Sequence, residues 1–159
     1  MWIRGPNVML GYLGDAEKTR EVIQDGWYNT SAVARIDADG FIFITDRLAR
    51  FSKIGGEMVP HGAIEELLQG SFDPSERVLA VTAVPDEKRG ERLVVLYTPS
   101  AGGADRLRGI LRESDLPNLW CPAPNAFHEV DELPQLATGK LDLGALRKMA
   151  LQRESTAGP

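Results

Sequence analysis

Apolar residues in this chain fall into short strand-like runs and stretches of helical spacing, and the two kinds alternate from about residue 50 onward. Arg77 to Val84 and Arg92 to Thr98 are nearly unbroken β-branched and apolar runs, separated by Pro85-Asp86-Glu87-Lys88-Arg89-Gly90. They predict two core strands joined by a polar turn. Ahead of them, residues 51–54 and 57–59 read as short strands around a Gly55-Gly56 turn. Ala63, Ile64, Leu67 and Leu68 then recur at helical spacing behind Pro60, which predicts a helix that buries these four and leaves His61 at the surface. Leu107, Ile110 and Leu111 predict another helix, broken before Pro117. Residues 126–130 predict a last strand, and 143–151 a last helix capped by Asp142, with a frayed tail at 152–159.

The first third reads differently. Asp15 can cap a short helix running through Gln24, with Gly26 beyond its end. Residues 27–36 predict a strand, Asp37-Ala38-Asp39-Gly40 a turn, and Phe41-Ile42-Phe43-Ile44 its hairpin partner. The polar-basic stretch 45–50 separates this unit from the next, so we expect a division into 1–46, 47–151 and the tail 152–159. The order of strands and helices predicts an α+β class, with a small three-stranded sheet in the second unit. The opening Met1-Trp2-Ile3-Arg4-Gly5-Pro6 reads as mid-domain strand and loop, which suggests a piece of something longer.

Composition narrows the chemistry. The 159 residues carry a net charge of -5, which argues against a nucleic-acid surface. No apolar run approaches the roughly 20 residues of a membrane span, and no signal peptide is visible. A single cysteine, Cys121, excludes an internal disulfide and suits a reducing, cytoplasmic setting. His61 and His128 stand far apart and form no ligand motif, so no metal site is expected.

Chemistry concentrates in Leu133-Pro134-Gln135-Leu136-Ala137-Thr138-Gly139-Lys140-Leu141-Asp142. Glycine permits a tight turn, from which Lys140 can project a compact cation with three donors toward a phosphate or carboxylate. The plainer reading is a turn followed by a solvated lysine, and these residues alone leave both open.

The ordered motifs Gly26-Trp27-Tyr28-Asn29-Thr30, Asp39-Gly40-Phe41, Asp46-Arg47, Lys53-Ile54-Gly55-Gly56, Val59, Ile64-Glu65 and Gly139-Lys140 resemble the late motifs of the adenylate-forming superfamily. That group includes acyl-CoA synthetases, acyl-carrier-protein synthetases, peptide-synthetase adenylation domains and luciferases. The resemblance runs from Ile3 to about Leu151. Residues 49–59 and Leu116-Pro117-Asn118-Leu119-Trp120 look most similar to the acyl-carrier-protein synthetase module of bifunctional 2-acylglycerophosphoethanolamine acyltransferases.

The resemblance implies that 1–46 closes a large adenylate-binding domain and that 47–151 is a mobile C-terminal lid. The implied activity activates a fatty acid with ATP and Mg as an acyl adenylate, then passes the acyl group to a phosphopantetheine thiol of acyl carrier protein or CoA. Lys140 matches the adenylation lysine, and Arg47 the arginine that binds the ribose hydroxyls. Lys53, Gly55 and Gly56 match the loop that lines the thiol channel, and Ala49 sits at the hinge. The implied location is the cytoplasm, with any membrane association supplied by other domains.

Two departures stand out. The family continues Thr-Gly-Asp where this chain has Thr30-Ser31-Ala32, so the ribose-binding carboxylate is missing, and Ala49 replaces the usual hinge Asp or Lys. The family's phosphate loop and its aromatic-Gly-x-Thr-Glu segment do not occur in these 159 residues, so the chain alone is expected to be inactive. Gly139-Lys140 is no Walker loop, since Pro134 and Leu141 stand where glycine and Ser/Thr are needed. The His-x4-Asp pair of glycerolipid acyltransferases is absent too, with Glu66 and Leu133 at the relevant places. Two further readings stay open beside the ligase: a non-catalytic module that docks a carrier protein, and a structural α+β domain.

Overall fold

The computed structural model describes residues 1–156 and divides into two compact units, Met1–Ala49 and the part from Arg50 onward. The division falls three residues beyond the expected boundary because the second hairpin strand runs further. Strand β5 (Ile42–Arg47) pairs antiparallel with β4 (Ala32–Ile36) out to Arg47↔Ala32, and the Leu48 N–H donates to the Ser31 carbonyl at 2.8 Å.

In the first unit, β1 (Trp2–Ile3), β2 (Ile23–Gln24) and β3 (Trp27–Asn29) form a small antiparallel sheet with β3 in the middle. Helix α1 (Ala16–Val22) is capped by Asp15, whose carboxylate accepts from the Lys18 N–H at 2.9 Å. It ends before the expected Gln24. Ile23 and Gln24 are drawn into a hairpin whose two turn residues, Asp25 (φ 49°) and Gly26 (φ 77°), both take left-handed conformations. The strand expected over 27–36 is likewise two strands. Ser31 adopts φ 54° and breaks the extended run, while the Thr30 hydroxyl accepts the Ala32 N–H across the break at 3.2 Å.

The second unit holds a five-stranded sheet rather than the expected three-stranded one. Its centre is β9 (Gly90–Tyr97), paired antiparallel with β8 (Leu79–Asp86) and parallel with β10 (Phe127–Glu129). The hairpin of β6 (Phe51–Ile54) and β7 (Glu57–Pro60) joins this trio through a single register pair, Ile54↔Gly90. Helix α2 (His61–Gln69) follows β7, α3 (Ala104–Arg112) follows β9, and α4 (Leu143–Thr156) closes the chain.

Alternation along β8 and β9 builds two apolar layers, one on each sheet face. Leu79, Val81, Leu93, Val95 and Tyr97 pack with Ile64, Leu68, Leu107 and Leu111 from α2 and α3. Ala80, Val84, Val94 and Leu96 pack with Leu146 and Ala150 from α4. Burial on both faces explains why β8 and β9 read as continuous apolar runs. Helix α4 extends five residues past the expected Leu151. Glu154 in this extra turn contacts Arg92 of β9 and hydrogen-bonds His128 Nε2 of β10 at 2.7 Å, which ties the segment to the sheet. Residues 152–156, expected to fray, are helical, and residues 157–159 lie outside the described part of the chain.

Candidate functional site

Lys140 stands on a braced turn. The Leu136 N–H donates to the Lys140 carbonyl and the Gly139 N–H to the Leu136 carbonyl, each at 2.8 Å, while the Asp142 N–H reaches Pro134 O at 2.9 Å. Gln135 and Leu141 face each other as an isolated antiparallel bridge, and Gly139 holds φ 76°, a conformation with little cost only for glycine. Asp142 then caps α4, accepting the Ala145 N–H at 3.0 Å. The Lys140 side chain is exposed and makes no ion pair among the described residues. Backbone order combined with a free ammonium group makes a donor aimed outward from a fixed base.

Lys53, Gly55 and Gly56 share the β6–β7 hairpin. Lys53 is exposed, and its N–H donates to Glu91 Oε2 at 2.8 Å. Both turn glycines are left-handed, at φ 57° and 92°, and the Gly55 N–H bonds the Arg89 carbonyl at 2.9 Å. A Cβ on Gly56 would meet nothing within 4 Å, so this tip faces open space on its outer side.

Arg47 ends β5 with its side chain exposed, directly across the ladder from Ala32. Directly opposed residues project to the same face of an antiparallel pair, so Arg47 and Ala32 are neighbours. Arg47 also acts on the Tyr28 phenol. The Tyr12 hydrogen bond pushes that group above its ordinary pKa, burial adds to the rise, and the Arg47 and Lys18 cations pull the other way. Ala49 sits exposed in the short 3-10 turn Leu48–Arg50.

The structure brings Lys53, Gly55 and Gly56 together, keeps Lys140 on its own turn in the same unit, and places Arg47 in the other unit. Among the described residues no group of three or more His, Cys, Asp or Glu is arranged to hold a metal ion. Cys121 is a free thiol whose Sγ lies 3.7 Å from the Pro117 carbonyl.

Sequence reasoning missed a buried polar frame. His61, expected at the surface, is 4% exposed, with its Nε2 2.6 Å from the Ser52 hydroxyl. Glu65 is 6% exposed and accepts from Arg50 at 2.7 Å, Arg77 at 3.1 Å and the Val81 N–H at 2.8 Å. A signal for both was present: positions 61, 64, 65 and 68 follow the i, i+3, i+4, i+7 spacing of one helical face, and Ile64 and Leu68 mark that face as inward.

Residues 77–140 match the family described as the AMP-binding enzyme C-terminal domain, and the match ends on Lys140. Feruloyl-CoA synthase from an Amycolatopsis species is 36% identical over 149 residues, covering 92% of this chain and 29% of that protein. The amide bond synthetase McbA from Marinactinospora thermotolerans shares 30% identity at a TM-score of 0.70, over 93% of this chain and 30% of its own. The o-succinylbenzoate CoA synthetase MenE from Bacillus subtilis, solved with the acyl-adenylate intermediate OSB-AMP, shares 27% identity at a TM-score of 0.70, over 92% and 29%. The chain thus spans under a third of the length of these relatives.

Proposed function

We propose, from the match of residues 77–140 to the AMP-binding enzyme C-terminal domain family, that this chain is the C-terminal part of an ATP-dependent acid–thiol ligase. Such an enzyme activates an organic acid, fatty acids included, as an acyl adenylate and transfers the acyl group to a pantetheine thiol. The observation that carries the reading is Lys140: an exposed cation on a turn held by three backbone hydrogen bonds, at the last matched residue.

In this reading the Lys140 ammonium lies against the carboxylate and phosphate oxygens during adenylation. It offsets charge that grows as attacking and leaving oxygens separate, and loss of one such preorganised donor typically costs about 3 kcal/mol of barrier. Arg47 donates to the ribose hydroxyls. The Gly55-Gly56 tip lets the thiol arm approach closely, with Lys53 beside it. ATP and Mg come to the site from the adenylate-binding part of the enzyme, and Lys140 and Arg47 provide donors toward the nucleotide.

Ala49 serves as the hinge between the two chemistries. What supports this is the anchoring on either side of it. The Leu48 N–H is bonded within the first unit, to Ser31, and the Arg50 guanidinium within the second, to Glu65. A change in backbone angles at Ala49 leaves both anchors intact, as hinge residues require.

The acceptor is CoA in the first instance, since matched relatives are named as CoA synthases and synthetases; acyl carrier protein is the alternative acceptor. The test is Lys140→Ala in the full-length enzyme. We expect acid-dependent ATP–pyrophosphate exchange to fall by about 100-fold while thioester formation from supplied acyl adenylate persists. Equal loss of both half-reactions would refute the assignment. The chain by itself is expected to catalyse neither.

Ala32 favours a second reading, a carrier-protein-docking or regulatory module that has lost nucleotide chemistry, because its methyl group cannot hold ribose hydroxyls beside Arg47. Tight binding of holo carrier protein without nucleotide would support this reading. Tighter ATP binding in Ala32→Asp, with activity already present in the parent, would favour the ligase.

A further inference from the structure

The stretch Leu116-Pro117-Asn118-Leu119-Trp120 is given no part by the adenylation and thiol-transfer roles above. In the structure it folds onto the glycine hairpin. Trp120 Nε1–H donates to Glu57 Oε1 at 2.9 Å, across 63 residues of sequence. Leu119 lies under the turn, its Cδ1 3.9 Å from where a Gly55 Cβ would stand. Both side chains are partly buried and pack against the core layer that holds Ile54 and Val59.

The hairpin needs such support. Only one register pair, Ile54↔Gly90, links it to the rest of the sheet, and its two turn residues are left-handed glycines with no side chain to pack. Besides the Ser52–His61 bond at its base, two bonds reach it near the tip, Gly55 N–H to Arg89 O and Lys53 N–H to Glu91 Oε2. Both act on the β6 side. On the β7 side Val59 is packed in the core and, nearer the tip, the Glu57 carboxylate takes the bond from Trp120; a hydrogen bond to an ionised acceptor is stronger than a neutral one.

We propose that Trp120, through Glu57, is a positioning residue that fixes the Gly55-Gly56 tip for the thiol-transfer step. This rests on the ligase reading above. In that step the thiol sulfur bonds the acyl carbon, the carbon–oxygen bond to the adenylate phosphate breaks, AMP leaves with that electron pair, and the thiol proton passes to solvent. The tip contributes the shape of the approach path, so a displaced tip slows transfer without touching adenylation.

The test uses the full-length enzyme and two assays, acid-dependent ATP–pyrophosphate exchange and CoA thioester formation from supplied acyl adenylate. Trp120→Phe keeps an aromatic ring in the packing and removes the donor. Glu57→Ala removes the acceptor at an exposed position, where folding is not at stake. Each should lower kcat/KM for thiol transfer about tenfold, the scale of one charge-assisted hydrogen bond at a half-exposed site, with exchange within about twofold. The double variant should be no worse than either single one, because both remove the same bond. Glu57→Gln, which keeps an oxygen acceptor, should recover most of the loss. Variants that lose both half-reactions alike, or whose losses multiply in the double variant, would overturn the positioning role alone. A parent enzyme that catalyses neither half-reaction would overturn the ligase reading, and this inference with it.

Discussion

Glu65→Ala is expected to be among the most damaging single substitutions in the second unit, and Glu65→Gln should separate the reasons. The carboxylate side chain is 8% exposed and joins three elements: α2 itself, Arg50 at the start of the unit, and β8 through the Val81 N–H. Alanine leaves the buried Val81 N–H without its acceptor, which costs about 1–3 kcal/mol. It also leaves two guanidinium groups without their shared anion. Removing one partner of a fully buried pair costs about 3–5 kcal/mol, but Arg50 is 21% and Arg77 46% exposed, so both regain water and the lower end applies. Both costs come from loss of one side chain and are not additive, so the total for alanine is about 3 kcal/mol. Glutamine retains an oxygen for the Val81 N–H but sets an amide NH2 where Oε2 accepted from both arginines, for about 1–2 kcal/mol. Urea unfolding followed by circular dichroism reads this directly. With m near 2 kcal/mol/M, the midpoint should drop by about 1.5 M for alanine and about half that for glutamine, with m unchanged. Equal shifts for the two variants, or an alanine effect under about 0.5 kcal/mol, would refute the account of Glu65 as an anion clamp with a backbone acceptor at its centre.

Three further outcomes follow from local geometry. Ser31→Gly should stabilise the first unit by about 0.5–1 kcal/mol, because a left-handed serine costs about 1–2 kcal/mol and the added freedom of unfolded glycine offsets part of the gain; a lowered melting temperature would contradict it. Ser52→Ala should cost about 1–3 kcal/mol by removing the buried partner 2.6 Å from His61 Nε2, measurable as a lower urea midpoint. The carboxyls of Asp73 and Asp86 sit below their ordinary pKa, held down chiefly by the Ser75 hydroxyl in the first case and the Arg89 N–H in the second. The stability they add is therefore complete above the ordinary carboxylate range and lost as pH falls through the depressed folded values. The Asp73→Asn, Asp86→Asn double variant should show a shallower loss of stability between about pH 5 and pH 2 than the parent, and an unchanged slope would contradict it.

Sequence patterning conveyed most of the second unit because its core is apolar on both sheet faces. Continuous runs such as Leu93-Val94-Val95-Leu96 have few alternatives to a buried strand. It conveyed less of the first unit, where the decisive features are single backbone angles. Nothing in hydrophobic spacing says that Ser31 turns left-handed and splits 27–36 into two strands, or that Asp25-Gly26 pulls Ile23 out of a helix. The five-stranded sheet was hidden because β6 and β7 join it through one pair only. His61, expected at the surface because it stands at the helix start, is buried because its spacing from Ile64 and Leu68 puts it on the inward face.

The polar residues thereby fall into two kinds, and desolvation explains the separation. Burying an uncompensated charge or donor is costly, so Ser52, His61 and Glu65 stay inside only with partners already in place. Such groups have little capacity left for a ligand. Lys140, Lys53 and Arg47 are exposed, and for Lys140 the freedom that binding must remove is confined to its side chain, because three hydrogen bonds already fix its turn. Fixing one flexible side chain costs up to about 2 kcal/mol, which a charge-assisted bond to a phosphate or carboxylate oxygen in a closed site can exceed. A loose lysine on an unbraced loop would add a backbone cost of about 1–2 kcal/mol for each residue ordered, enough to cancel that gain. The braced turn is therefore what distinguishes Lys140 from an ordinary surface lysine, and substituting Gly139 by alanine, which strains that turn at φ 76°, should impair the same half-reaction as Lys140→Ala while leaving the ammonium group in place.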